Sequence, residues 1–349
     1  MSASPVLEQT IAAERKADYS ELKRIIREQG LFESQPGYYR MKAIVACVTL
    51  GVGLIIAVLI SSPLVLLLDA AFLGFATTQI GLLAHDAGHR QGFRGSRTNA
   101  LARYLLGDLL LGVSQSWWNV KHTRHHASPN HIDDDPDIQI PMVVFSVEQI
   151  PQRPRWLRPA IAFQAFVFPL LLPLQALNMR VNSVQHLFSS NARKPWLEGA
   201  ILAVHAGLYA LLLIWIGDWR LALGFFLIHQ ATFGFYNSSV FAANHKGMPL
   251  TDNGRRWGFL HEQVLTSRNV RSNPFIDFWY GGLNFQIEHH LFPTLPRNRL
   301  RQAQAVVEQF CAERGISYYA TGLFQSYGEI LAHLHRVSAP LRQRNRVAA

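Results

Sequence analysis

Long uncharged apolar runs alternate with short polar stretches along most of the chain. Residues 41–60 are apolar except for Lys42, long enough for the ~20 residues that a spanning helix needs. Ser61 to Pro63 breaks that run, and 65–84 follows with one acid, Asp69. The pair predicts a helical hairpin that returns the chain to its starting side. The run at 101–113 is short and interrupted by Asp108, so it predicts an interfacial segment. Three more runs lie at 159–177, 197–216 and 221–243. Pro169 and Pro173 interrupt the first, and Arg158 and Arg180 bracket it; the other two are joined by Gly217, Asp218 and Trp219, a second hairpin. The predicted fold class is an all-α integral membrane protein. It has four spanning helices as two hairpins (about 41–60, 65–84, 197–216 and 221–243), and the segments about 101–113 and 159–177 are interfacial.

Outside the runs the chain is polar. Residues 1–40 mix both charges and carry an amphipathic pattern from Ser20 that stops near Gly30. It predicts a cytoplasmic helix against lipid headgroups. The division expected is a cytoplasmic N-terminal segment 1–40, a membrane domain 41–301 and a cytoplasmic C-terminal segment 302–349. An amphipathic helix is expected near 299–314.

Composition sharpens this picture: 49% of residues are hydrophobic, 16% are charged and the net charge is +10. The Lys and Arg lie between apolar runs, without a nucleic-acid motif, so retention of positive loops on the cytoplasmic side accounts for the charge and nucleic acid is not an expected partner. Cys47 and Cys311 match neither a disulfide framework nor a zinc ribbon. The first apolar run begins after forty residues and is too long for the core of a signal peptide. The expected location is the cytoplasmic (inner) membrane, crossed several times.

The candidate chemistry is imidazole. His122, His125 and His126 (HTRHH) are spaced i, i+3, i+4, and His85 and His89 (HDAGH) i, i+4, spacings that put side chains on one helix face. His289 and His290 close QIEHH, three residues after Gln286, and His245 sits in NHKGMP where the last run ends. One metal accepts about four to six ligands, so eight imidazoles imply two metals. All-nitrogen ligation suits zinc, copper, iron or nickel and not magnesium or calcium. A structural zinc site stops at four ligands, so the surplus favours a catalytic dinuclear centre, with iron where oxygen chemistry is done. A single site requires an even number of membrane crossings between the clusters, which is why 159–177 is placed at the interface. Asp86 and the acids Asp133 to Asp137 are candidates to accept ring N–H bonds and fix histidine tautomers, with a turn before Pro136 as the alternative for the acids. Trp117, Trp118 and Asn119 precede the second cluster, either lining an acyl channel or anchoring the chain at the interface.

The set HDxxH, HxxHH and QxxHH, separated by hydrophobic hairpins, resembles the membrane fatty acid desaturases. QIEHHLFPTLPR and NHKGMP are similar to the bacterial acyl-lipid and acyl-CoA branch, which includes front-end desaturases. The resemblance runs from about Gly81 to Arg301. It implies a non-haem di-iron centre held by His85, His89, His122, His125, His126, His289 and His290, with His245 as the extra ligand. Gln286 stands where many members carry histidine. It further implies a fatty acyl substrate on CoA or lipid, O2 as co-substrate, and a cis double bond as product. No HPGG motif of a fused cytochrome b5 is present, so a separate electron donor of ferredoxin, flavodoxin or cytochrome b5 type is expected. A lipid or terpenoid hydroxylase or ketolase with the same centre is the alternative. A haem carrier or metal transporter is a third reading, disfavoured because its histidines would lie inside the membrane.

Overall fold

The computed structural model describes residues 5–93, 95–254 and 257–347, with side chains described from 17 to 343; positions 1–4 and 348–349 of the two terminal segments lie outside the described residues. The chain is mostly helical. In order come α1 (Pro5–Glu28), α2 (Pro36–Leu59), α3 (Pro63–Gly88) and α4 (Ser96–Arg103), which runs into a π-helix (Tyr104–Leu111), and then α5 (Gln115–Ala127). Next are α6 (Arg158–Ala162), α7 (Gln164–Leu171), α8 (Gln175–Leu187), α9 (Pro195–Trp215), α10 (Trp219–His245) and α11 (Phe259–Leu265). Strand β1 (Asn269–Val270), α12 (Pro274–Trp279), α13 (Gln286–Leu291), α14 (Leu300–Glu313), strand β2 (Ala320–Thr321), α15 (Leu323–Val337) and α16 (Ala339–Val347) complete the chain. Proline occupies the first helical position of α2, α3 and α9, where its missing N–H is no loss.

Two compact units form, one from 34–122 and 170–240, the other from 1–33, 123–169 and 241–349. The first exposes many apolar residues around a buried apolar core. Val45, Val48, Ile55 and Leu59 of α2 and Leu208, Leu211 and Ile214 of α9 are exposed. Apolar surface of that extent is stable in hydrocarbon and not in water. α2, α3 and α9 are long and apolar enough to cross a membrane. Polar groups of this unit turn inward. His229, in α10, bonds Thr77 Oγ1 at 3.2 Å and Tyr209 Oη at 2.8 Å, and Gln230 Oε1 accepts from Arg180 at 2.8 Å. Gly74 allows the close approach of α3 and α10: a Cβ there would lie 2.8 Å from the His229 carbonyl oxygen. α10 has the length of a span at 27 residues, but these polar positions keep it out of the set that qualifies on apolarity.

The expected segment 159–177 is broken. The chain bends by 95° between Arg155–Ala162 and Gln164–Leu187, a pair that together would count as a fourth crossing. The segment expected at 101–113 is the π-helix, ended by Gly112 at φ +72.

The second unit has an ordinary core of Leu22, Ile26, Leu260, Val264, Ile287, Leu291, Phe292, Val307 and Phe310. α1 therefore does not lay its apolar face on headgroups: Leu22 and Ile26 are fully buried against α11, α13 and α14. Tyr19 Oη donates to the Leu291 carbonyl at 3.0 Å, and Arg314 pairs with Asp18 and Glu21. β1 and β2 pair in parallel over two residues each, a small exception to an all-α fold that the sequence pattern does not announce.

Candidate metal centre

Each unit carries one histidine cluster. In the membrane-type unit, α3 runs on past the expected span end, so His85 lies in its last turn and His89 is its C-cap. The end is fixed by two bonds, Gln91 N–H to Asp86 O at 3.0 Å and Arg90 N–H to Ala87 O at 3.1 Å. That is the Schellman pattern, here with Arg90 and not glycine in the left-handed conformation (φ 59). His122 comes from α5. One nitrogen from each of His85, His89 and His122 lies within 4.8 Å of the others, and His89 Nε2 and His122 Nε2 are 2.8 Å apart. Asp86 Oδ1 stands 3.3 Å from His85 Nδ1. The Trp118 indole stacks on the His122 ring (4.3 Å between centroids, 27° between planes) and meets His85 and His89 edge-on at 5.3 and 5.7 Å. Gly88 makes room for it: a Cβ there would be 2.2 Å from the indole.

The other unit gathers His125 and His126 from the end of α5, His245 from the last position of α10, and His289 and His290 from α13. His245 Nε2 is 3.3 Å from His125 Nε2 and 3.0 Å from His290 Nε2. All three rings are buried. The His126 ring stacks on His290 at 4.1 Å and lies 4.8 Å from His289.

The outer nitrogens fix the protons. His125 Nδ1 is 3.0 and 3.1 Å from the two oxygens of Asp135, His245 Nδ1 is 3.2 Å from the Thr266 carbonyl, and His290 Nδ1 is 2.8 Å from Gln263 Oε1. A carbonyl or carboxylate can only accept, so each Nδ1 carries the hydrogen. Gln263 is held the right way round because its amide nitrogen donates to His126 O at 3.1 Å. No imidazole hydrogen then lies between His125 and His245 Nε2 or between His245 and His290 Nε2; the Gln286 amide donates toward His245 Nε2, and a cation among the three rings would take up the remaining lone pairs. Metal–imidazole bonds of about 2.0–2.1 Å at tetrahedral to octahedral angles put ligand nitrogens roughly 2.8–3.4 Å apart, so the two spacings fit. Burial holds His245 and His290 well below the usual imidazole value, with neighbouring histidines adding to the effect, so both remain in the neutral form that ligates. These histidine groups can hold metal.

The remaining candidates divide. Gln286 joins the second cluster, its amide nitrogen 2.9 Å from His245 Nε2 and its oxygen accepting from Asn244. Asp137 is 3.5 Å from His125 Nδ1. Asp133 is exposed, and its backbone N–H goes to His131 Nδ1. The acid that faces His125 is Asp135, fully buried and also accepting from Asn130 N and Asp137 N at 2.8 Å each. Trp117 packs in the apolar core beside Tyr39, Leu83, Leu111 and Met179, while Trp118 lies on the histidines and Asn119 is half-buried. His205 and His229 are bonded inside their unit, His205 Nδ1 to Leu109 O at 2.8 Å. Sequence reasoning missed Gln263, Thr266 and Asn130. Asn130, at φ 57, donates its side-chain N–H to the carbonyls of His245 and Thr266 and so ties the acidic loop to the end of α10. Its signal was the Pro-Asn step before the acids, since asparagine tolerates the left-handed region.

Comparison with known proteins gives the geometry its context. The fatty acid desaturase family matches residues 60–322. The Delta(6)-fatty-acid desaturase fat-3 of Caenorhabditis elegans is 29% identical over 348 residues, covering 94% of this chain and 77% of its own length. The Delta(8)-fatty-acid desaturase of Euglena gracilis is 30% identical over 324 residues (89% and 76% covered), and fatty acid desaturase 3 of Bos taurus 31% over 331 residues (91% and 72%). With three quarters of its length matched by the family and its boxed histidines gathered into clusters, the chain belongs to the fatty acid desaturases, membrane oxidoreductases that act on fatty acyl chains.

Proposed function

We propose that this desaturase introduces a cis double bond using O2 and two electrons at a pair of non-haem irons. The proposed ligands are His85, His89, His122, His125, His126, His245, His289 and His290. The observation that carries the reading is that His245 Nε2 lies 3.3 Å from His125 Nε2 and 3.0 Å from His290 Nε2, while the Nδ1 hydrogen of each of the three rings is engaged outward. Zinc suits the nitrogens but has no redox chemistry. Bound iron supplies the oxidising power that takes two hydrogens from adjacent unactivated methylenes, which no side-chain acid or base can do. The chain's own residues hold the ligands still. Asp135, Gln263 and Thr266 fix three tautomers, Asp86 stands against His85, and Asn244 turns the Gln286 amide toward His245.

The membrane arrangement that fits is four crossings, α2, α3, α9 and α10, with the broken segment around 159–177 at the interface and both clusters on the cytoplasmic side of the inner membrane. Lys and Arg at the inner flanks favour it. A reporter fused near Asn191 should then score cytoplasmic. Electrons come from a separate protein of ferredoxin, flavodoxin or cytochrome b5 type. Relatives named for Delta(5), Delta(6) and Delta(8) desaturation support a double bond placed by counting from the carboxyl end, on an acyl-CoA or acyl-lipid. The test is expression in a host of known lipid content with gas chromatography of double-bond positions. A new unsaturated acid should appear and should vanish in His125→Ala; product retained in that variant overturns the assignment.

A further inference from the structure

Trp118 has a place at the first cluster that the desaturation scheme does not use. Its indole lies face to face with His122 at 4.3 Å and edge-on to His85 and His89, so one side chain touches three proposed ligands. The missing side chain at Gly88 is what admits it. Trp118 is only partly buried, so it touches the cluster while keeping some surface outside the packed interior. Indole is also among the most readily oxidised side chains, and a site that can break a methylene C–H bond is oxidising enough to take an electron from it.

We propose that Trp118 is the electron inlet that discharges the centre when no acyl chain is in place. This rests on the reading that His85, His89 and His122 hold iron. In productive turnover, dioxygen receives two electrons from the donor protein, two protons from solvent, and two electrons with their hydrogens from the acyl chain, giving two waters. Without an acyl chain the last two electrons must come from elsewhere. Trp118 passes them one at a time: the indole loses an electron to the centre and its N–H proton to solvent. The reduced donor protein then returns the electron, and solvent the proton. In sum, four donor electrons and four protons convert one dioxygen to two waters, and Trp118 ends unchanged. A phenylalanine in the same space would keep the ring packing without being oxidisable; a tyrosine would keep both.

The experiment compares the parent enzyme with Trp118→Phe and Trp118→Tyr, each loaded with iron and given reduced ferredoxin and air without acyl substrate. Iron content is measured first, against His122→Ala. Peptide mass mapping then locates oxidised residues, and freeze-quenched electron paramagnetic resonance looks for an indole radical. The expected result is a radical and slight oxidation confined to Trp118 in the parent. In Trp118→Phe no indole radical forms, oxygen is added to His85, His89 or His122, and activity is lost at least tenfold faster per O2 consumed. Trp118→Tyr should restore protection. If iron-loaded Trp118→Phe leaves its histidines unmodified and survives as long as the parent, the inlet is wrong while the metal site stands. If no variant holds more iron than His122→Ala, the ligand assignment itself fails.

Discussion

Asp135→Asn is the sharpest probe of the second cluster. Both carboxylate oxygens of Asp135 are in use: Oδ1 faces His125 Nδ1 and Asp137 N, and Oδ2 faces His125 Nδ1 and Asn130 N. An amide keeps one acceptor and sets an NH2 group against a backbone N–H, in a position with no exposure to solvent. The loss of a charge-assisted bond costs about 1.5–3 kcal/mol. Removing a carboxylate that orients a metal-bound histidine typically lowers affinity by about 10- to 100-fold, or ~1.4–2.8 kcal/mol, which agrees. Iron retention against graded ferrozine in detergent is the assay, with far-ultraviolet circular dichroism to show that the fold persists. Asp133→Asn is the control, because Asp133 is exposed. Asp135→Asn should release iron at roughly tenfold lower chelator or less, and Asp133→Asn within about twofold of the parent. Equal retention in the parent and Asp135→Asn would refute the claim that His125 is a ligand held through its Nδ1.

Leu22→Ala and Ile26→Ala should each destabilise the unit containing the third histidine box by about 2–5 kcal/mol, since both side chains are fully buried. The two share one core, so the double variant should lose less than the sum; thermal denaturation in detergent measures this, and unchanged melting would return α1 to the membrane surface. Burial pushes the Cys311 thiol up to about 12, so it stays protonated through pH 8.5 and a maleimide should label it only after denaturation; labelling in the folded protein would contradict its place in the core.

The histidine boxes were legible because their information is local. Spacings of three and four residues declare a shared helix face before anything is known of the fold, and the apolar runs declare their lengths. What the boxes lean on is not local. Gln263 and Thr266 reach His290 and His245 from α11 and the turn after it, and neither stands in a pattern that announces a metal site. The acidic stretch is a different case, because the sequence points to its acids together and only the fold singles one of them out. Asp133, Asp134, Asp135 and Asp137 look alike by composition, but Asp135 alone precedes a proline. That residue is held extended (φ −79, ψ 110) and caps the short turn that follows, its side chain accepting from Asp137 N. A buried cap with a spare oxygen edge is the acid fit to receive an imidazole N–H. For α1 the amphipathic pattern was right and its partner wrong. A helix destined for headgroups carries mostly Lys and Arg on its polar face, whereas Asp18 and Glu21 sit here among the bases and bind Arg314.

The acid at 108, which in the sequence only interrupts an apolar run, bears on how the second box is oriented. Asp108 is fully buried in the π-helix, and its Oδ1 accepts from the first N–H of α5, that of Gln115, at 2.7 Å. Ser114 caps the same helix, its Oγ accepting from Trp117 N at 3.1 Å and donating to Glu198 of α9 at 2.5 Å, where Ser116 Oγ also donates at 2.7 Å. Carboxylates at a helix N-terminus answer both its unpaired N–H groups and its dipole. Here they also fix the rotation of α5 about its axis. Successive residues of an α-helix turn through about 100°, so a slip of one position at this cap would swing His122, His125 and His126 off their cluster-facing sides. A widened π-turn closed by a left-handed glycine brings Asp108 to the α5 start, and π-helical geometry inside helices is found most often where function fixes a side chain. The order of ligands along α5 is written in HTRHH, but the start of the helix is fixed fourteen and eight residues before His122, at Asp108 and Ser114.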